Sequence, residues 1–387
     1  MDSPQPRKVL FVINVLALQG GAEVQLTHLA REFARRGYGV TIACISESWG
    51  DLHLLTDLGI EIVELGYKTR ATRWRAIPRL TRLARQAEII HCTMWDPSLW
   101  GRIAAILARR PVVVADHATD RSVQVAANGA PRAGWIALHN RLLDPFTFAT
   151  VACATSQPPV LRAEGVSPEK IVHIANGIPV DEILARATGV TREQIGVPAR
   201  APLAMQVGIF RLEKNQIGAL EAFAGVREQV LEAHLVFVGD GRLREQVERR
   251  AAELGAGEWV HFLGARGDVP ALLALADVML LPSHGDAMPM TVLEAMALGV
   301  PVIATDVGDV RLVLGDAGVV VAPRDPDALR QACVELLSSP AAGERLAARG
   351  QMRSREFDAF AMTERYAALF EAALSGQRPH AALPARS

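Results

Sequence analysis

Short, continuous apolar runs alternate along this chain with stretches whose apolar residues recur at helical spacing. In the first half the runs are KVLFVIN (8–14), VTIACI (40–45), IEIVEL (60–65), EIIHC (88–92), PVVVAD (111–116), FATVACAT (148–155) and KIVHIAN (170–176). Consecutive apolar positions, without polar alternation, suit parallel strands covered on both faces. Between the first two runs, Leu26, Leu29, Phe33 and Ala34 mark one helical face, closed by Gly37. The pattern restarts with PLAMQVG (202–208), HLVFVG (234–239), WVHFLG (259–264), DVMLLPS (277–283), VPVIATD (300–306) and GVVVAP (318–323). Two such series predict two doubly wound α/β domains with Rossmann-like parallel sheets. The boundaries read from the pattern are 1–180 for the first domain, 181–200 for a linker and 201–355 for the second domain. A helix over 356–375, with the option of returning to the first domain, and a disordered tail over 376–387 complete the reading. The segment HATDRSVQVAANGAPRAG (117–134) has no period and carries an Asn-Gly signal, so it reads as a long loop.

Composition agrees with two cores. The chain has 387 residues, half of them hydrophobic and 21% charged. A net charge of −1 removes any global electrostatic case for nucleic-acid binding. The charge is uneven: residues 1–180 carry 20 Lys and Arg against 15 Asp and Glu, and the remainder 21 against 27. A basic first half suits an anionic acceptor or membrane surface, or is ordinary surface scatter. Cys44, Cys92, Cys153 and Cys333 are scattered without a metal-binding spacing and read as buried free thiols. The N-terminal stretch reads as a strand, not a leader, and no apolar run reaches membrane-spanning length. The expected location is cytoplasmic, free or on the inner face of a membrane. Residues 67–86 hold Lys68, Arg70, Arg73, Arg75, Arg79, Arg82 and Arg85 and no acid, with one apolar stripe and Trp74 at its entry. That stripe either packs on the first sheet or lies on an anionic leaflet.

Three segments carry candidate chemistry. Gly20 and Gly21 stand between the first strand and the helix after it, where small residues and free N–H groups admit an anion. In QVGIFRLEKNQ (206–216), a strand ends at Gly208, and Arg211 and Lys214 occupy the loop at its carboxyl end. In LLPSHGDAMPMTVLEAMALGVPVIATDVG (280–308), Pro289 opens a short helix, Gly299 closes it and Pro301 follows. Val292, Leu293, Met296 and Ala297 form its expected core stripe, with Glu294 on the other side and Asp286 in the preceding loop. Such carboxylates either partner the helix dipole or hold vicinal sugar hydroxyls, with phosphates at the helix N-terminus.

PSHGDAMPMTVLEAMALGVPVIATDVGD, VGIFRLEKN, VFVGDGRLREQVE and VHFLGARGDVPALLALADVMLLPS resemble segments of the glycosyltransferase family 4 enzymes. GGAEVQLTHLAREFARRGYGVTIA and NGI (176–178) resemble segments of the same family. The likeness covers roughly residues 8–372 and implies a GT-B fold: two Rossmann-like domains facing across a cleft. It further implies a retaining hexosyltransferase using a UDP-, GDP- or dTDP-sugar as co-substrate. In the family pattern Glu294 matches a ribose-binding Glu. Asp286 stands where a Glu contacts the donor hexose. Lys214 matches a diphosphate-binding Lys. Gly20 and Gly21 match a glycine loop beside the phosphates, and His117 matches a His that contacts the donor sugar or its phosphate. The usual Arg after Gly208 is Ile209 here, and Arg211 is assigned its role. Leu263, Gly264, Met290 and Thr291 complete the expected donor site, with Gly208. The expected catalytic set is His117, Asp286, Arg211 and Lys214.

No Asp-x-Asp pair lies on a strand-end loop, so the expected reaction needs no metal and no cofactor. The acceptor is left open among small molecules, polysaccharides and lipid-linked sugars. An inactive donor-binding partner of another transferase, and a GT-B-shaped sugar-nucleotide epimerase, are the alternatives.

Overall fold

The computed structural model describes residues 7–17, 20–50, 52–117 and 133–381. The chain forms two compact units. The first holds the described residues up to Gly177 and the stretch from Ala359 onward; the second is Ile178–Asp358.

Among the described residues the first unit contains seven strands: β1 (Lys8–Ile13), β2 (Gly39–Cys44), β3 (Glu61–Glu64), β4 (Ile89–Thr93), β5 (Val112–Asp116), β6 (Ala149–Ala152) and β7 (Ile171–His173). All pair in parallel, in the order β3-β2-β1-β4-β5-β6-β7. The apolar run of β1 is continuous because both faces are covered. Val9, Phe11 and Ile13 enter one core with Leu29 and Phe33 of the helix Gly21–Arg35, and with Tyr366 and Phe370 of the helix Ala359–Ser375. Leu10 and Val12 enter the opposite core with Leu80, Ala84, Ala104 and Ala105. Phe33 and Phe370 stack at 5.1 Å, so a segment nearly 340 residues downstream closes this core.

The 67–86 stripe packs on the sheet. It divides into a 3-10 turn, Arg70–Ala76, and a helix, Ile77–Gln86, with Pro78 in its first turn. Leu80 and Ala84 are core residues, which leaves no large apolar face there for a membrane. Arg73 is buried and paired with Asp96. The four cysteines are buried free thiols.

The second unit contains β8 (Leu203–Val207), β9 (His234–Val238), β10 (Val260–Phe262), β11 (Val278–Leu281), β12 (Val302–Thr305) and β13 (Val319–Val321), parallel in the order β10-β9-β8-β11-β12-β13. Phe237, Leu280 and Ile303 meet Phe223 and Leu336 on one face. The helix Met290–Ala297 follows β11 and packs against the helices Val180–Ala185 and Pro340–Ser354.

Residues 181–200, read as a linker, are instead part of this unit's packing. Val180, Ile183, Ile195 and Val197 are buried. Arg192 donates to the carbonyl oxygens of Leu275 (2.6 Å) and Ala201 (2.8 Å) and to Asp277 (2.9 Å). The mixed composition concealed one guanidinium that satisfies these three acceptors. The expected tail is likewise partly ordered: Pro379 is buried, and the Gln377 N–H donates to the Ala372 carbonyl. Residues 382–387 lie outside the described residues, as do residues 118–132 of the segment read as a long loop. A helix, Ala133–Leu143, begins where that segment ends.

Candidate active site

Three strand ends of the second unit are locked together through glycine. The Gly208 N–H donates to the Val238 carbonyl (2.9 Å), and the Gly239 N–H to the Gly264 carbonyl (2.8 Å). A Cβ at Gly239 would collide with the Gly208 carbonyl oxygen. One at Gly241 would lie 2.6 Å from the Phe210 carbonyl oxygen. Both glycines have positive φ, so an added side chain would face strain as well as collision. Gly239 and Gly241 were not among the expected site residues. Their role is set by neighbours some 30 residues away in sequence, although the VGDG motif marked the place.

The loop after β8 carries Arg211 and Lys214. The Gln206 amide donates to the Lys214 carbonyl (2.8 Å) and the Gln216 amide to the Ile209 carbonyl (3.1 Å). Asn215 takes a left-handed conformation and caps the helix Gln216–Arg227 by accepting from the Gly218 N–H. Its own amide donates to the Pro282 carbonyl (3.2 Å), which ties this loop to the end of β11. The Lys214 ammonium forms an ion pair with Asp286, both groups partly buried. Arg211 is exposed, 3.9 Å from Glu213.

Asp286 is held from below. Gly308, at φ +52°, lies so close to the Asp286 and Ala287 carbonyl oxygens that a Cβ would collide with both. The Asp309 N–H donates to the Ala287 carbonyl (2.8 Å). Ala287 and Met288, the next two residues of this loop, are buried.

The helix Met290–Ala297 has Pro289 before it, no side-chain cap and no acid in its first turn. Its N–H dipole end is therefore not countered by an acid of its own. The expected single core stripe is wider than predicted: Met290, Val292, Leu293, Ala295, Met296 and Ala297 are all buried. Packing against Gly350, whose position admits the Met296 backbone, encloses the far side. Glu294 is partly exposed on this helix, between buried Leu293 and Ala295. Desolvation pushes its carboxyl pKa up to about 7, with Arg186 acting in the opposite sense. Thr291 is partly exposed, and Leu263 and Gly264 lie partly exposed at the end of β10.

The remaining expected residues belong to the first unit. Gly20 precedes and Gly21 begins the helix after β1. The Gly20 N–H donates to the Glu23 carboxylate (3.3 Å), so this helix N-terminus already holds an anion from its own first turn. His117 follows β5 directly. Desolvation lowers its pKa to about 4, against the opposing effect of Asp116, and leaves a neutral imidazole at pH 7. Among the described residues, no group of three or more His, Cys, Asp or Glu side chains is placed to hold a metal ion.

Residues 19–182 match the family model Glycosyltransferase Family 4, and residues 189–353 match Glycosyl transferases group 1. EpsD of Bacillus subtilis, named as a glycosyltransferase, is 26% identical over 298 residues, 74% of this chain and 76% of the relative. The D-inositol 3-phosphate glycosyltransferase of Xylanimonas cellulosilytica is 27% identical over 287 residues, 70% of this chain and 68% of that protein. The solved structure of Anabaena HepE in complex with UDP and glucose superposes with a TM-score of 0.80 at 20% identity, covering 95% of this chain and 100% of that one.

Proposed function

Because this chain belongs to the family 4-type glycosyltransferases of GT-B fold, we propose that it moves a hexose-type sugar from a nucleoside diphosphate sugar to a hydroxyl acceptor, with retention and without a metal or cofactor. The observation that carries this reading is the Lys214–Asp286 ion pair beside the acid-free N-terminus of the helix Met290–Ala297. A diphosphate takes the positive end of the helix and the ammonium. Asp286, freed in part from Lys214, accepts from hexose hydroxyls. Glu294 in its ionised form accepts from the two ribose hydroxyls. Arg211 lies on the same loop as Lys214 and is free to turn toward phosphate oxygens. In the first unit, Gly20, Gly21 and the neutral His117 are assigned to the donor phosphates and sugar.

The bond between the anomeric carbon and the β-phosphate oxygen breaks, and the acceptor oxygen forms the new bond to that carbon on the same face. The departing phosphate takes the hydroxyl proton, so no protein base is required. Lys214 and the helix dipole stabilise the charge that develops on the leaving group. HepE is described with UDP, which makes UDP-sugars the first donors to test, before GDP- and dTDP-sugars. Contact with an anionic leaflet is part of the same reading.

The test is a thermal-shift series with the three nucleotide classes, followed by donor hydrolysis with and without EDTA. A ligand at 100 times its Kd stabilises the native state by about 2.7 kcal/mol. A shift with one class, and hydrolysis unchanged by EDTA, is the expected outcome. No shift with any class would overturn the donor assignment, and activity restored only by added magnesium or manganese would overturn the metal-free reaction.

A further inference from the structure

Tryptophan is unevenly placed in this chain. Five of the six, Trp49, Trp74, Trp95, Trp100 and Trp135, belong to the first unit. Four of these stand where the chain leaves the carboxyl end of a strand. Trp49 and Trp74 precede the helices that follow β2 and β3, Trp95 opens the helix after β4, and Trp135 is third in the helix after β5. Trp49, Trp74 and Trp135 are 44%, 56% and 60% exposed. A single exposed ring needs no explanation, but indoles gathered along one edge of a sheet do. Contacts join three of them. Trp95 meets His139 edge-on, centroids 6.1 Å apart, and Trp135 stacks on the same His139 at 5.5 Å. Asp96, beside Trp95, pairs with buried Arg73, beside Trp74, which fastens the 3-10 turn to the start of the helix Trp95–Ala108.

The same edge holds the switch point of the sheet. The strand order reverses between β1 and β4, and an open α/β sheet receives its ligand in the crevice beyond the carboxyl ends there. The register that pairs Val12 with Cys92 brings Asn14 level with Met94 at this point. Met94 has φ 72° and ψ 167°, a conformation that residues other than glycine rarely adopt. Its N–H donates to the Ala115 carbonyl (2.9 Å) and its carbonyl accepts from the Ser98 N–H (3.2 Å), which hold the strained backbone in place. The Asn14 amide oxygen and the Trp95 indole N–H are enclosed and have no hydrogen-bond partner among the described residues. Enclosed polar atoms are ordinarily paired, so one acceptor and one donor stand ready for a ligand. A pyranose ring has the matching chemistry: C–H faces that lie on the negative face of an indole, and a rim of hydroxyls that both donate and accept. An inorganic anion gains nothing from indole faces, and an alkyl chain nothing from the two polar atoms.

We propose that the acceptor is a saccharide bound at this edge of the first unit, with pyranose faces on Trp95 and Trp135 and hydroxyls on Asn14 and the Trp95 indole N–H. The proposal rests on the transferase reading and names its acceptor class. A further exposed ring, Trp74 on the neighbouring turn, suits an oligosaccharide better than a single sugar. Saturation-transfer NMR tests this without turnover. The probes are di- to tetrasaccharides of glucose, galactose, mannose, rhamnose, N-acetylglucosamine and glucuronic acid, beside myo-inositol and glycerol 3-phosphate. At least one oligosaccharide should bind, with the strongest transfer to the C–H protons of one ring face, and the two non-saccharides should not. Trp135→Ala should weaken that binding at least about tenfold, and Trp135→Tyr should restore most of it. Leu138 and Leu142 are also exposed on this helix, and Leu142→Ala, which removes no ring, should leave binding unchanged. All three variants change exposed positions and should keep the wild-type thermal midpoint. The nucleotide-induced thermal shift reports the donor site separately. Saccharide binding without that shift would overturn the donor reading and leave this site standing. The shift without any saccharide binding would overturn this site alone. So would saccharide binding that Trp135→Ala leaves intact or that Leu142→Ala weakens equally. Binding of myo-inositol or glycerol 3-phosphate in place of the oligosaccharides would replace the saccharide by a small polyol.

Discussion

The two units share one architecture and use it differently. Each is a parallel sheet with a loop and helix N-terminus after its leading strand. In the second unit the strand-end loops are fastened to one another, by Gly239 against Gly208 and by Gly308 against Asp286 and Ala287. In the first unit the glycine before the helix is under less demand: the nearest atom a Cβ at Gly20 would meet among the described residues is in the Glu23 carboxylate, at 3.3 Å, and its φ of −95° suits any residue. The lesson is that similar glycine-rich turns after strands do not carry equal demands. The second unit fixes charged groups in place before a donor arrives, whereas the first supplies helices whose outer surfaces are free to meet something else.

The largest effect that would break this contrast comes from glycine itself. Gly308→Ala is expected to destabilise the second unit by about 2–4 kcal/mol, from positive φ and collision with two carbonyl oxygens, and to displace Asp286. Gly20→Ala is expected to change stability by less than about 0.5 kcal/mol. Denaturant unfolding monitored for both units separately would check this. Equal effects at the two positions would erase the difference in rigidity.

Next in size is Lys214→Ala. It leaves the Asp286 carboxylate without its cation and removes the ammonium proposed for the leaving diphosphate. Steady-state kinetics should show kcat/KM for the nucleotide sugar reduced at least about tenfold, about 1.4 kcal/mol or more. Asp286→Asn should lose less, since Lys214 stays and an amide still hydrogen-bonds a hydroxyl. Wild-type kinetics in Lys214→Ala would remove the second unit's charge from the mechanism.

How far these features could be read in advance differs between the units as well. The strands were legible because each is a run apolar on both faces, as in KVLFVIN, HLVFVG and VPVIATD. Asp286, Lys214 and Glu294 stand out as candidates because they sit in short segments of fixed spacing around a helix with clear Pro and Gly punctuation. The wider burial of that helix was not legible, because the helix Pro340–Ser354 that packs against it lies some 50 residues downstream. Periodicity placed Leu80 and Ala84 on one stripe, but only the fold shows that this stripe is consumed by the sheet. The exposed row on Ala133–Leu143 went unread for the converse reason: an apolar helical face looks the same in sequence whether it meets a core or water. Residues 181–200 were misread because Arg192 acts through backbone carbonyls, which composition does not display.

The desolvated carboxyl of Glu294 gives a smaller, pH-dependent effect. Its folded pKa of about 7 lies above the ordinary 4.5. The native protein therefore keeps a proton that the unfolded chain releases between those values. The stability this contributes is fully present below about pH 4.5 and is lost as pH rises through about 7. Between pH 6 and 8 the loss amounts to about 1 kcal/mol. Glu294→Gln should remove that portion of the pH dependence, so unfolding free energies of variant and wild type should diverge across this range. Donor affinity should move the other way, strengthening in wild type as Glu294 ionises and staying flatter in the variant. Parallel stability curves would mean the carboxylate is better solvated than its surroundings imply.

The smallest effect compares the two helix N-termini directly. The helix Gly21–Arg35 carries Glu23 in its first turn, with the carboxylate on the Gly20 N–H, whereas the helix Met290–Ala297 has no acid there. A carboxylate at that position stabilises a helix by about 0.3–1 kcal/mol at low ionic strength, and salt screens the charge part of it. Glu23→Gln keeps a hydrogen-bond acceptor for Gly20 but removes the charge. The first unit should then lose a few tenths of a kcal/mol at low salt and nothing measurable in 1 M salt, where the Debye length falls to about 3 Å. Converting Thr291 to Glu makes the reciprocal change in the second unit: it should stabilise the Met290 helix by a similar amount while weakening nucleotide binding, because its carboxylate takes the field that the diphosphate is proposed to use. If Thr291→Glu leaves nucleotide affinity unchanged, the donor phosphates do not lie at that helix, and the acid-free N-terminus is a feature of packing alone.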